Sequence, residues 1–188
     1  MSAVLEMEAS REIVPEILPD RYEIIDGNIV EIPPMSDLSN TVSSRLLLAI
    51  GTHAVKHKLG EAHMEFLFRM PAPIDRNRRP DVCFVSYERW PANRPITSRN
   101  ARDVVPDLCV EVISPSDIHD DDHEKLIEYF DAGVKQVWVI HPRFGDVYVY
   151  DSRHRVRGYS ADEVIEGSPC LPGLNFKLAD VLPVMAKD

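Results

Sequence analysis

The stretch "PDLCVEVISPSDIHDDDHEKLIEYFDAGVKQVWVIHP", residues 106–142, holds two apolar runs with one helical pattern between them. "DLCVEVIS" and "KQVWVIHP" read as strands, because valine and isoleucine pack well on a pleated surface. "SPSDIHDDDHEKLIEYFDAGV" reads as a helix. Ser116 or Asp117 can cap its start, acidic residues suit the positive end of its dipole, and Gly133 stands just past its end. A helix crossing between two strands makes them parallel neighbours in a sheet. The expected fold class is therefore α/β, with helices covering the faces of a mixed central sheet.

One residue breaks the pattern. Glu111 sits inside the first strand, between Val110 and Val112. An unpaired carboxylate in a low-dielectric core costs several kcal/mol, so it needs a partner or a wet face. The bland alternative is a polar strand face, but the apolar neighbours on both sides favour a function.

Towards the N-terminus, "RRPDVCFVSYERW" reads as a strand carrying Val82, Phe84 and Val85, and "EAHMEFLFRMPAPI" as another. "MSDLSNTVSSRLLLAIGTHAVKHKLG" reads as a helix capped by Ser36 or Asp37 and ended by Gly60. Its apolar face is Val42, Leu46, Ala49, Ile50 and His53 or Ala54. "RYEIIDGNIVEIPP" is a hairpin turning at Asp26-Gly27. Towards the C-terminus, "DVYVYDSRHRVRGYS" is a second hairpin, and "PGLNFKLADVLP" holds a short strand or turn and a short helical piece. "RPITSRNARDVVP" is a loop. Residues 1–18 read as an N-terminal arm and 19–188 as a single domain, with no internal repeat.

The 188 residues carry 21 Lys and Arg against 31 Asp and Glu, a formal net charge of −10. That excludes a surface wholly given over to nucleic acid but leaves room for local binding. Basic residues cluster in "RNRR" (76–79), "RPITSRNAR" (94–102) and "RHRVR" (153–157). No apolar run approaches the roughly 18 residues of a membrane span. The N-terminus lacks the pattern of a signal peptide. Three cysteines, none in a CxxC pair, suggest free buried thiols in a cytoplasmic protein and no structural zinc site. Trp90 and Trp138 read as core or interface residues, not as base-stacking platforms. The stretch "HDDDH" (119–123) tempts a metal assignment, but the acidic start of a helix is the favoured reading.

Three ionisable residues stand out by position. Asp81 opens a strand after Pro80, Glu111 lies in the next long strand, and Lys125 lies on the helix that follows. Two carboxylates on adjacent strands repel unless a cation lies between them, and Mg²⁺ or Mn²⁺ favours such hard oxygen ligands. A nearby lysine can orient water or stabilise charge on a phosphate. Taken singly, Asp81 is a strand-start residue and Lys125 a solvated helix residue.

The stretches "RYEIIDGNIVEIPPMS", "RRPDVCFVS", "PDLCVEVISPSD", "EKLIEYFDAGVKQVWVIHP" and "LPGLNFKLADVL" together resemble the Uma-type restriction endonuclease family, a domain-of-unknown-function branch of the PD-(D/E)xK nucleases. The resemblance spans nearly the whole chain from Tyr22. It implies a restriction-endonuclease-like core of helix, three strands, helix and strand, with added hairpins. It implies a metal-dependent endonuclease that cuts DNA and leaves a 5′-phosphate. Asp81, Glu111 and the backbone carbonyl of Val112 would ligate Mg²⁺ or Mn²⁺. The superfamily lysine sits two residues after the glutamate, where this chain has Ile113; Lys125 matches the branch that moves it to the helix. Glu65, with Glu61 as rival, is the candidate further acidic ligand, and Arg78 and Arg79 are candidate phosphate contacts. Ser39 and His141 stand where the family often has histidine and aspartate. The expected partners are DNA and a second copy of the chain, with no membrane. The rival class is a catalytically quiet module that keeps the fold for binding nucleic acid or for self-association.

Overall fold

The crossover expected over residues 106–142 is present in the computed structural model, which describes residues 18–74, 76–96, 101–114 and 119–184. In chain order the elements are β1 (Tyr22–Ile25), β2 (Asn28–Glu31), α1 (Asp37–Lys56), β3 (Gly60–Met64), β4 (Phe68–Arg69), β5 (Asn77–Arg78) and β6 (Val82–Ser86). They continue with β7 (Leu108–Val112), α2 (His119–Ala132), β8 (Gln136–His141), β9 (Asp146–Ser152), β10 (Arg155–Ser160), β11 (Val164–Glu166), β12 (Asn175–Lys177) and a 3-10 turn, Leu178–Asp180.

The central sheet has six strands in the order β10-β9-β8-β7-β6-β3. β7 and β8 are its parallel pair, joined through α2, and the other neighbours are antiparallel. A second sheet, β2-β1-β5-β4, packs beside it, and β11 pairs with β12.

Strand alternation divides the interior. Leu108, Val110 and Val112 of β7 join Val82, Phe84, Trp138 and Ile140 on one face. α1 covers them with Val42, Leu46, Ile50 and Ala54, all fully buried. Cys109 points the other way and joins Val137, Leu126 and Tyr129 under α2. Glu111 has the same parity as Cys109, so it enters the smaller core beneath α2 instead of a solvated face.

The first hairpin turns at Asp26 and Gly27, both at positive φ, as a tight two-residue turn requires. Ser36 caps α1 by accepting the Ser39 N–H at 3.1 Å. Gly60 does not end α1. The helix stops at Lys56, and the chain turns through Lys58 at φ 55°. Gly60 opens β3 instead, where a Cβ would lie 2.1 Å from the Val85 carbonyl oxygen. The run "EAHMEFLFRMPAPI" is not one strand either. It breaks at Glu65, φ 51°, and β4 leaves to join the second sheet. Residues 1–17 of the N-terminal arm and the Ser116 or Asp117 cap fall outside the described residues.

Asp107 locks the start of the crossover. It accepts the Ser86 N–H at 2.7 Å and pairs with Arg89 at 3.1 Å and Lys135 at 2.8 Å. Burial alone would raise its carboxyl, but Lys135, Ser86 and Arg89 outweigh burial and hold it below the usual range. That stabilisation is present above the unfolded carboxylate value and is lost as pH falls through the lower folded value. Asp107→Ala is expected to cost about 2–3 kcal/mol in urea unfolding at pH 7, with the gap to the parent protein narrowing in acid. An unchanged midpoint would contradict this.

Candidate active site

Asp81 stands at the entry to β6, next to β7. The antiparallel register pairs Val82 with Val110. Extended by one residue, it puts Asp81 opposite Glu111, a spacing at which cross-strand side chains meet. The Val112 N–H fixes Asp81 by donating to Oδ2 at 2.7 Å. The Tyr129 hydroxyl, from α2, donates to Glu111 Oε1 at 2.5 Å. Lys125, one turn earlier on α2, places its Nζ 3.6 Å from Glu111 Oε2 and 3.9 Å from Glu23 Oε1. Asp81, Glu111, Val112 and Lys125 therefore line one cavity of about 280 Å³.

Glu23 was not singled out in the sequence, yet it is 1% exposed and central here. Oε2 accepts from Arg78 at 2.7 Å, and Oε1 accepts the Arg79 N–H at 2.9 Å. Arg78 also donates to Glu128 Oε2 at 2.6 Å and Oε1 at 3.1 Å, tying the second sheet to α2. Arg76 reaches Glu128 as well, together with Asp26 and Glu124. The signal for Glu23 was the one that marked Glu111, a carboxylate inside the apolar run "YEII".

Burial, and then the Glu111 charge, push the Asp81 carboxyl up to about 8, against the pull of the Val112 N–H, Lys125 and Arg21. Burial also works against the charge on Lys125, but Glu111, Glu23 and Asp81 overcome it and hold the ammonium above its ordinary range. Lys125 is thus a fixed cation, suited to stabilising negative charge and unsuited to taking a proton. Tyr129 is raised by burial and by Glu111, so it remains a phenol that can donate.

Four carboxylates, Glu23, Asp81, Glu111 and Glu128, thus face two deeply set cations, Arg78 and Lys125. The donor set fits Mg²⁺ or Mn²⁺. Its oxygens are hard, its charge is in excess, and Mg²⁺ is usually held by one or two carboxylates with water and substrate phosphate completing the shell. Among the described residues no group of three or more His, Cys, Asp or Glu could hold a metal by itself.

Other expected site residues lie elsewhere or do other work. Glu65 pairs with Arg21 and does not line the cavity, because its left-handed backbone turns it away. Glu61 lies on edge strand β3, 3.8 Å from His63. Arg78 is 3% exposed and given over to Glu23 and Glu128, so a phosphate could reach it only by displacing a carboxylate. Arg79 lines the cavity half-buried, donating to the carbonyls of Tyr22 and Glu65. Ser39 lies in the cavity wall, hydrogen-bonded to Ser36 at 2.9 Å. His141 is not in it and stacks edge-on with Tyr148.

The Uma2 family model, described as "Putative restriction endonuclease", matches residues 13–182. No curated protein sequence matches the chain. A solved structure from Anabaena variabilis ATCC 29413, described as a "putative nuclease belonging to DUF820", superposes with a TM-score of 0.74. It is 20% identical, and the match covers 85% of this chain and 88% of that one. At that identity the likeness speaks for the fold. α1, then β3, β6 and β7, then α2 and β8 form the core of helix, three strands, helix and strand. No helix among the described residues is long and apolar enough to cross a membrane.

Proposed function

Because the chain belongs to the Uma2 family, we propose that it is a Mg²⁺- or Mn²⁺-dependent endonuclease that hydrolyses phosphodiester bonds in DNA. The observation that supports this best is the meeting of Asp81, Glu111 and Lys125 in one cavity, with each carboxylate held by its own donor. Asp81, Glu111 and the carbonyl of Val112 would hold the metal. When bound, such an ion polarises a phosphoryl oxygen and makes nearby water a stronger nucleophile.

The chain's own groups do the rest. The Val112 N–H and the Tyr129 hydroxyl keep the two carboxylates in place before substrate arrives, which avoids reorganisation during reaction. The Lys125 ammonium orients the attacking water and offsets charge building on the phosphate. It stands on a helix, while the strand position two residues past Glu111 is Ile113, an apolar part of the same cavity wall. Glu23 positions both Lys125 and Arg78. Arg79, which lines the cavity, is the proposed phosphate contact, and Glu23 ties its backbone N–H to Arg78.

Cleavage of both strands of a duplex by one site per chain is simplest in a two-fold dimer. We place its contact at β10, an edge strand of the central sheet with Val156 48% exposed. The test is incubation of supercoiled plasmid with purified protein, with light scattering of the same sample. Nicking or cutting that needs Mg²⁺ or Mn²⁺ and stops with EDTA is expected, as is a mass twice 21.4 kDa. DNA that binds but stays intact with either metal would favour the quiet binding module, and a 21.4 kDa mass would remove the dimer.

A further inference from the structure

A second cavity, of about 250 Å³, lies against Glu61 and His63 of edge strand β3 and Val85 of β6. His63, Phe66 and Trp90 form its aromatic floor, with ring centroids 4.7, 5.4 and 5.7 Å apart. Two guanidinium groups flank the indole, Arg94 at 5.4 Å and Arg102 at 5.8 Å from its ring centre. Ile96 extends the apolar wall into solvent, 80% exposed. The His63 Nε2 atom is enclosed, 3.8 Å from the Glu61 carboxylate, and takes no hydrogen bond among the described residues.

A groove lies between this cavity and the candidate active site. Open and beside β3, it shares Arg79 with the carboxylate cavity and shares His63, Phe66 and Arg102 with the aromatic one. Arg79, Arg102 and Arg94 thus line the way from the carboxylates to the aromatic floor and outnumber the two acidic residues in the same walls, Glu65 and Glu61. The chain as a whole is acidic, at −10, so this path is a local exception. Cationic grooves that end on aromatic faces are how proteins hold unpaired nucleic acid. The arginines follow the phosphates, and the rings or guanidinium planes stack on the bases.

We propose that the Trp90 cavity binds an unpaired nucleotide of the substrate strand, with the groove carrying the connecting phosphates, so that the protein prefers DNA with a single-stranded segment beside the cut. The inference rests on the nuclease reading for the role of the carboxylate cavity, but binding can be measured without cleavage.

The test is titration of the full chain, in EDTA, with a 12-nucleotide oligodeoxythymidine and with a blunt duplex, following tryptophan emission and anisotropy. Trp138 is fully buried and donates to Gln136 at 2.8 Å, so a change in emission reports Trp90. The single strand is expected to quench emission and to bind more tightly than the duplex. Trp90→Phe should abolish the quenching and keep most of the affinity. Trp90→Ala should weaken single-strand binding by about tenfold to a hundredfold. Arg94 is exposed, so Arg94→Ala gives a second reading free of folding effects; its single-strand affinity should fall and its duplex affinity should not. Equal binding of both DNAs, no binding, or tight single-strand binding with unchanged emission would each overturn the proposal. Metal-dependent plasmid cutting together with any of those results would leave the nuclease reading standing. Quenching without cutting would do the reverse.

Discussion

Asp81→Asn is expected to lower Mg²⁺-supported cleavage about a thousandfold or more and to leave the metal-free protein at least as stable as its parent. The loss follows from removing half of the paired carboxylates. A metal's Lewis-acid contribution is several kcal/mol, and each ~1.4 kcal/mol is a factor of ten in rate. Stability survives because asparagine still offers an oxygen to the Val112 N–H, which Asp81 accepts at 2.7 Å. It can rise because the native carboxylate is both buried and opposed by Glu111.

The sign of the pH dependence follows. The folded protein holds the Asp81 proton up to about 8, against an ordinary value of 3.8. The unfolded chain releases it earlier, so over that window the folded state binds the extra proton. The stability it contributes is full in acid and is lost as pH rises through the folded value. In EDTA the parent protein should melt lower at pH 8 than at pH 5.5, and Asp81→Asn should flatten that slope. Calorimetry of both proteins at both pH values checks this. A variant that melts well below its parent at pH 8 would mean that Asp81 is a structural acceptor.

Lys125→Met should lose about 10²–10³ in cleavage rate, the usual effect of removing one preorganised charge from a reacting centre. Methionine keeps the apolar stem, which matters because the lysine side chain is only 18% exposed. The change leaves Glu111 and Glu23 without that cation, so some loss of stability accompanies it. Lys125→Arg separates the two effects, since it restores charge and folding but not the compact ammonium. Mn²⁺ binding should persist in Lys125→Met and tighten, because a neighbouring positive charge has gone. The double change Ile113→Lys with Lys125→Met moves the ammonium to the strand, within the same cavity wall, and should recover part of the rate. Parent-level cleavage by Lys125→Met would reduce Lys125 to a partner of Glu111 and Glu23.

The core of the fold was legible because its signals are periodic and local. Apolar strand runs flank an amphipathic helical pattern at residues 106–142, and that alone gives the parallel pair. Glu111 was legible as an exception to the pattern, and Asp81 through its place before a strand. What escaped depends on contacts between distant segments. Glu23 matters because β1 lies beside β5, which brings Arg78 and the Arg79 N–H to it. Nothing in "RYEII" announces that neighbour. Gly60 looked like a helix stop because glycine commonly is one, and the close Val85 carbonyl that requires it belongs to β6. Glu65 looked like a ligand by position until its backbone turn sent it to Arg21. Arg78 looked like a phosphate contact by its charge, and its burial against two carboxylates appears only in three dimensions.

The most direct measurement is anomalous diffraction from a crystal of this protein soaked in Mn²⁺. A peak bridging the Asp81 and Glu111 carboxylates at about 2.1–2.3 Å, the usual range for small divalent cations on oxygen, and missing from the Asp81→Asn crystal, is the predicted result. Mn²⁺ bound elsewhere, or no peak in a crystal whose Asp81 and Glu111 stand open to solvent, would contradict the assignment of these two carboxylates as the metal's ligands.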